Sequence, residues 1–131
     1  MPRFPTPAPD PLHQRGEPQA AVMLLLTTFP DRERAETAAR AWVEAGLAAC
    51  VHIAPSGRSV YRWQGAIETA DEVAVTAKTT TDRIDALHEA LRVTHPYELP
   101  EVLLVSPEGG SEAYLDWVRG ACAVTPSIAH G

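Results

Sequence analysis

Two side chains that bind soft metal ions stand two positions apart in the middle of the chain. They are Cys50 and His52, within the apolar run LAACVHI at 47–53. On a β-strand, residues two positions apart share a face and lie about 6.5 to 7 Å apart. A thiolate and an imidazole at that spacing suit copper or zinc, although one chain supplies fewer than the four ligands of a closed zinc site. The competing interpretation is that Cys50 packs as a small hydrophobe and His52 forms a nearby hydrogen bond.

A second group of polar side chains lies between two prolines. His95, Tyr97 and Glu98 belong to the segment HPYELP, in which both prolines restrict the backbone. A histidine, a phenol and a carboxylate held in this way could ligate a metal ion or orient a small anion or amine with little loss of entropy. Alternatively, Tyr97 fills a contact between subunits and His95 ends the preceding helix.

Lys78 is the only lysine in the chain, against ten arginines. A compact ammonium can bridge carboxylates where a bulky guanidinium does not fit, so Lys78 is a candidate for a ligand pocket. An ion pair of Lys78 with Glu72 or Glu98 at an interface is an equal alternative.

Length, charge and composition exclude several classes of function. The chain has 131 residues, a net charge of −6 and a pI near 5.3, which indicate one globular domain and no nucleic acid or anionic membrane as the main partner. Its longest apolar run, at 20–26, is too short to span a bilayer, and no secretory signal is visible. Only Cys50 and Cys122 are present, so we expect a reducing, cytoplasmic location. Trp63, Trp117 and Cys122 are interpreted as packing residues.

Proline and hydrophobic patterns divide the chain into three parts. Six of the twelve prolines lie before residue 20, which predicts a disordered arm over 1–20, a folded domain over 21–123 and a flexible tail over 124–131. The domain reads as strands and helices in the order βαββαβ with an additional C-terminal helix. This order predicts an α+β, ferredoxin-like fold with an antiparallel sheet.

The predicted boundaries come from apolar runs, caps and turns. We expect a helix over 32–45 capped by Asp31 and ended by Gly46, a hairpin turn at Gly65, and a second helix capped by Thr81 or Asp82. Strands are predicted over 21–28, 47–53 resuming at 59–65, 66–80 and 101–105, with helices ending at Pro96 and beginning at Ser111. The inner stripe of the second helix is Ile84, Leu87, Leu91 and His88.

The first two strands are apolar on both faces, yet two helices cover only one face of such a sheet. The additional C-terminal helix can hide only part of the other face. Other copies of the same chain must therefore cover the remainder, which predicts an obligate homo-oligomer.

Five segments, in order, resemble the CutA family of divalent-cation tolerance proteins. They are LAACV at 47–51, YRWQG at 61–65, Lys78-Thr79, HPYELPE at 95–101 and YLDW at 114–117. The resemblance implies a homotrimer shaped like the PII signalling proteins, a response to metal ions, chiefly copper, and no established reaction. It also implies an inter-subunit ligand pocket, and the residues placed there are Cys50, Lys78, Tyr97, Glu98 and Trp63.

The same resemblance bears on the metal ligands. Copper ligation in the family has been linked to a cysteine late in the first strand and two histidines before Pro-Tyr, and these positions hold Thr27, Thr94 and His95 here. Family members commonly have asparagine where His52 stands. No cofactor is required, and copper or another divalent cation is expected at His95, Cys50 and His52.

Two other functions stay open. One is a small hydrolase with Cys50 as nucleophile and His95 as base, although no Gly-rich phosphate loop accompanies them, so no catalytic function is expected. The other is a trimeric scaffold that presents its arm or hairpin tips to another protein.

Overall fold

The computed structural model describes residues 20–123, so nearly all of the predicted arm and the whole predicted tail lie outside the described residues. Seven elements follow one another: β1 (Val22–Phe29), α1 (Arg32–Glu44), β2 (Cys50–Trp63), β3 (Ala66–Thr80), α2 (Ile84–Thr94), β4 (Leu103–Val105) and α3 (Glu112–Ala123). They form a four-stranded antiparallel sheet in the order β2-β3-β1-β4. The predicted ferredoxin-like fold is confirmed.

The first helix begins at Arg32 as its sequence predicts and ends at Glu44, one residue before the predicted end. The Asp31 carboxylate accepts a hydrogen bond from the backbone N–H of Arg34 at 2.8 Å and caps α1. Gly46 follows the helix at φ +73°, a conformation that glycine adopts without strain. The backbone N–H groups of Leu47 and Ala48 donate to the Trp42 carbonyl. These bonds tie both residues to the helix end, so β2 begins at Cys50 rather than at Leu47.

Strands β2 and β3 form one long hairpin. Gln64 and Gly65 both have positive φ, which gives a two-residue turn and pairs Trp63 with Ala66. The strand β2 runs through Pro55 with only a register shift between Ile53 and Ser56. A proline is tolerated there because β2 is an edge strand.

Two predictions for α2 are wrong. Arg83 is its N-cap and forms no side-chain capping bond, because Asp82 accepts a hydrogen bond from the Thr80 hydroxyl instead. His88 is exposed, whereas Leu87 is fully buried. The predicted end is confirmed: the helix stops at Thr94, and the next residue is extended, as the position before a proline requires.

The main core lies between one face of the sheet and the helices α1 and α2. Its largest side chains include Leu25 and Phe29 from β1, Trp42 from α1, and Leu87 and Leu91 from α2. On the opposite face, α3 packs against the end of the sheet in a second cluster of Val22, Ala49, Val118 and Cys122. Burial raises the pKa of the Cys122 thiol, in keeping with a packing role.

The rest of the second face is uncovered in the described part of the chain. Two rows of paired residues cross all four strands there, and we call them the open face: Cys50, Lys78, Leu24 and Val105 in one row, and His52, Thr76, Leu26 and Leu103 in the other. Leu103 is 55% exposed. Among residues 20–123, no helix is long and apolar enough to cross a bilayer.

The two sides of α2 provide a test of this packing. We expect Leu87→Ala to lower the free energy of unfolding by about 2 to 5 kcal/mol, because it leaves a cavity in the main core. Val93→Ala is the matched control, since Val93 is 64% exposed on the same helix. Its effect should stay within about 0.5 kcal/mol. Urea denaturation at one protein concentration measures both, and equal effects would contradict the assigned core.

Candidate functional site

His95 is held by the backbone through both of its ring nitrogens. The N–H of Tyr97 donates to Nδ1 at 3.1 Å, so Nε2 carries the hydrogen and donates to the Thr28 carbonyl at 2.6 Å. The buried ring also packs against Phe29 and Tyr97, with ring centroids 4.5 and 4.8 Å away. His95 therefore joins the end of α2 to β1, and a metal ion at either nitrogen would have to displace one of these hydrogen bonds.

Tyr97 and Glu72 extend this connection to β3. The Glu72 carboxylate accepts a hydrogen bond from the Thr28 hydroxyl at 3.3 Å and lies near the Tyr97 phenol. Burial and the nearby Glu72 carboxylate raise the pKa of Tyr97 to about 12. The phenol consequently remains a hydrogen-bond donor over the physiological range.

A cavity of about 830 Å³ lies between the β2–β3 hairpin and the segment 96–101. Three aromatic residues line it, namely Tyr61, Trp63 and Tyr97. Four carboxylates line it as well, and they belong to Glu68, Glu72, Glu98 and Glu101. No lysine, arginine or histidine is among the described residues that line it, so the cavity is aromatic and negatively charged.

The remaining predicted residues lie elsewhere, on the open face. Cys50 pairs with Lys78 across β2 and β3, and His52 follows two positions along. Cys50 and Lys78 are partly buried, whereas His52 is exposed. The Lys78 ammonium has no hydrogen bond or ion pair within residues 20–123, and its pairing with Glu72 or Glu98 at an interface stays a prediction.

Within one chain, the predicted site residues therefore lie in two separate groups. Trp63, Tyr97 and Glu98 share the cavity, whereas Cys50 and Lys78 lie farther along the sheet. Thr28, which holds His95, pairs with a residue four positions before Lys78 on β3. That spacing corresponds to about 13 Å along the strand. A hydrolase that uses Cys50 and His95 would require the thiol to lie beside the imidazole ring. A single chain does not bring these two groups together.

Metal ligands are not clustered within residues 20–123. Among the residues that the structure describes, no three His, Cys, Asp or Glu side chains lie close enough to hold a metal ion. Cys50 and His52 share a face as their spacing predicts, but they offer only two ligands. A complete metal site would need further ligands from outside the described chain.

Two carboxylates of the cavity, Glu68 and Glu101, were missed by sequence reasoning. The signal for Glu68 was present, because a two-residue turn at Gly65 fixes the hairpin register and places Glu68 opposite Tyr61. No comparable signal exists for Glu101, because the sequence predicts a strand over 101–105 and the observed β4 begins only at Leu103. Another cavity, of about 500 Å³ between α1 and α2, contains none of the predicted site residues.

The sheet topology and the third helix define a ferredoxin-like α+β protein. Residues 23–121 match the family model described as CutA1 divalent ion tolerance protein, and the chain belongs to this family. It is 43% identical over 96 residues to the divalent-cation tolerance protein CutA of Thermus thermophilus, which covers 73% of this chain and 93% of the relative. It is 39% identical over 127 residues to human Protein CutA, covering 97% of this chain and 68% of the relative.

Solved structures agree with this assignment. CutA from Synechococcus elongatus superposes with a TM-score of 0.75 at 47% identity, covering 80% of this chain and 93% of that one. The Thermus thermophilus protein gives 0.74 at 41% identity, covering 76% and 97%. A further Synechococcus structure, complexed with a Bis-Tris molecule, gives 0.72 at 46% identity over 79% of this chain and 95% of that one.

The contact between Tyr97 and Glu72 yields a prediction for the phenol. We expect Glu72→Gln to lower the pKa of Tyr97 from about 12 toward the ordinary value, because removal of the negative charge favours the phenolate. Burial should keep the value above about 10. Phenolate absorbance against pH, with Tyr97→Phe subtracted to remove the other tyrosines, measures the shift. Glu108→Gln, outside the cavity, is the control, and an equal shift there would contradict the assignment.

Proposed function

We propose that this protein acts in the response to divalent metal ions as a homotrimer, with a ligand pocket completed between copies. The main observation in support of this proposal is the open face, a half-apolar surface that the described helices do not cover. Leu103 and Val105 on β4 are exposed beside Leu24 and Leu26 on β1. Contiguous exposed apolar surface of this kind marks protein interfaces. The proposed number of copies, three, is taken from the resemblance to the CutA family.

Charge supports the same assembly. Lys78 has no counter-charge among the described residues, and the cavity has four carboxylates without a basic side chain. In the proposed assembly, Lys78 and Cys50 of one copy lie beside Tyr97 and Glu98 of the next. The Lys78 ammonium would then face the carboxylates of the cavity. This arrangement would unite the two groups that a single chain keeps apart.

The proposed metal ligands are Cys50 and His52, on the edge strand of the open face. Each copy contributes one thiolate and one imidazole, a pair that suits copper or zinc. His95 could join them only by releasing the Thr28 carbonyl or the Tyr97 N–H. Both cysteines are free thiols, and a reducing cytoplasm would keep them so.

A small-molecule role for the pocket is supported by a relative. One structure of CutA from Synechococcus elongatus is complexed with a Bis-Tris molecule, which is an organic amine. In this chain, the cavity beside Trp63, Tyr97 and Glu98 is the proposed location for such a molecule.

Light scattering tests the assembly. We expect the protein to have about three times the chain mass of 14.1 kDa at micromolar concentration. Leu103→Glu should reduce the mass, because it places a charge on the apolar open face. Val93→Glu is the matched control, an exposed apolar position on the helical layer, and should leave the mass unchanged. A folded monomer in the unchanged protein would end the proposal.

Calorimetric titration under anaerobic conditions tests the metal site. We expect Zn(II) and Cu(I) each to bind, and the Cys50→Ala and His52→Ala variants each to bind at least about tenfold more weakly, because each variant loses one metal ligand. His88→Ala, on the exposed side of α2, should behave like the unchanged protein. Affinity no tighter than about millimolar, or variants that bind normally, would remove metal binding from the proposal.

A further inference from the structure

The cavity between the hairpin and the segment 96–101 combines two features that select ligands in the same way. Aromatic rings from Tyr61, Trp63 and Tyr97 line it together with four carboxylates. Aromatic faces attract cations through the ring quadrupole, and tryptophan does so most strongly. A negatively charged lining excludes anions by repulsion. Both features therefore favour a positively charged ligand with apolar surface.

The arrangement does not fit a bare metal ion. No three potential metal ligands converge within residues 20–123, although four carboxylates surround this one cavity. A volume of about 830 Å³ is within the range of small-molecule sites. The charges are spread over the lining instead of being focused on one point.

The spacing of the carboxylates indicates a ligand with more than one charge. Glu68 and Glu72 lie on the same side of β3, four residues or about 13 Å apart along the strand. Glu98 and Glu101 belong to the segment on the other side of the cavity. Glu72 is already held by a hydrogen bond from Thr28, so less freedom is lost there on binding.

We propose that this cavity binds a linear aliphatic diamine or polyamine, with its amino groups on the carboxylates and its methylene chain against the aromatic rings. The inference rests on the proposed function only in using the same inter-subunit pocket. One Lys78 ammonium from a second copy would neutralise one of four carboxylates and leave surplus negative charge for the ligand.

Calorimetric titration of the full chain with spermidine, in a buffer without amines, tests the proposal. We expect binding that weakens by about tenfold in Glu68→Gln and in Glu98→Gln, since each loses a charged hydrogen-bond partner. Glu108→Gln, a carboxylate outside the cavity, should bind as the unchanged protein does. Hexanediol, a neutral chain, should not bind, and magnesium chloride at equal charge concentration should not displace spermidine.

Absence of binding, equal effects of all three variants, or displacement by magnesium would overturn the proposal. Light scattering on the same samples separates it from the proposed assembly. A trimer that does not bind spermidine overturns the polyamine site alone, whereas a monomer that binds it supports the site and contradicts the assembly. Binding that appears only in Lys78→Met would show that the lysine of another copy fills the cavity, and this result also overturns the proposal.

Discussion

Two helices can cover only one face of a four-stranded sheet, and β1 is apolar on both faces. Leu25 and Phe29 enter the main core, while Leu24 and Leu26 project from the opposite side. The helix α3 covers only the Val22 end of that side. This shortage of cover leaves the open face exposed in one chain, and it also leaves room beside the sheet for a cavity beside the extended hairpin.

His95 shows how a residue type that suggests metal chemistry can have a structural use. Its ring carries no free nitrogen, because one accepts from the backbone of Tyr97 and the other donates to Thr28. These bonds fix the segment after α2 against β1 at the point where Thr28 and Glu72 meet. The histidine therefore positions one wall of the cavity and satisfies two backbone groups that would otherwise lie beside an apolar core.

Sequence patterns predict those parts of the fold that depend on local interactions. Asp31 and Gly46 mark the limits of α1, and Gly65 fixes the hairpin register, because caps and turns involve neighbours in sequence. The predicted cap of α2 is wrong, because Asp82 accepts a hydrogen bond from Thr80 and not from the helix backbone. The partners of His95 could not be predicted either, since Thr28 is 67 residues away and its carbonyl leaves no mark in the sequence pattern.

The division of the site into two groups has a thermodynamic consequence. Cys50 and Lys78 on the open face can meet the cavity only through another copy, since about 13 Å of strand separates the two groups in one chain. A metal ion or amine that contacts both groups would bind the assembly and not the isolated chain. Such a ligand would stabilise the proposed assembly by mass action, and assembly would in turn raise the ligand affinity by the same factor. The change in ligand affinity on assembly and the change in assembly affinity on ligand binding would then report the same coupling free energy.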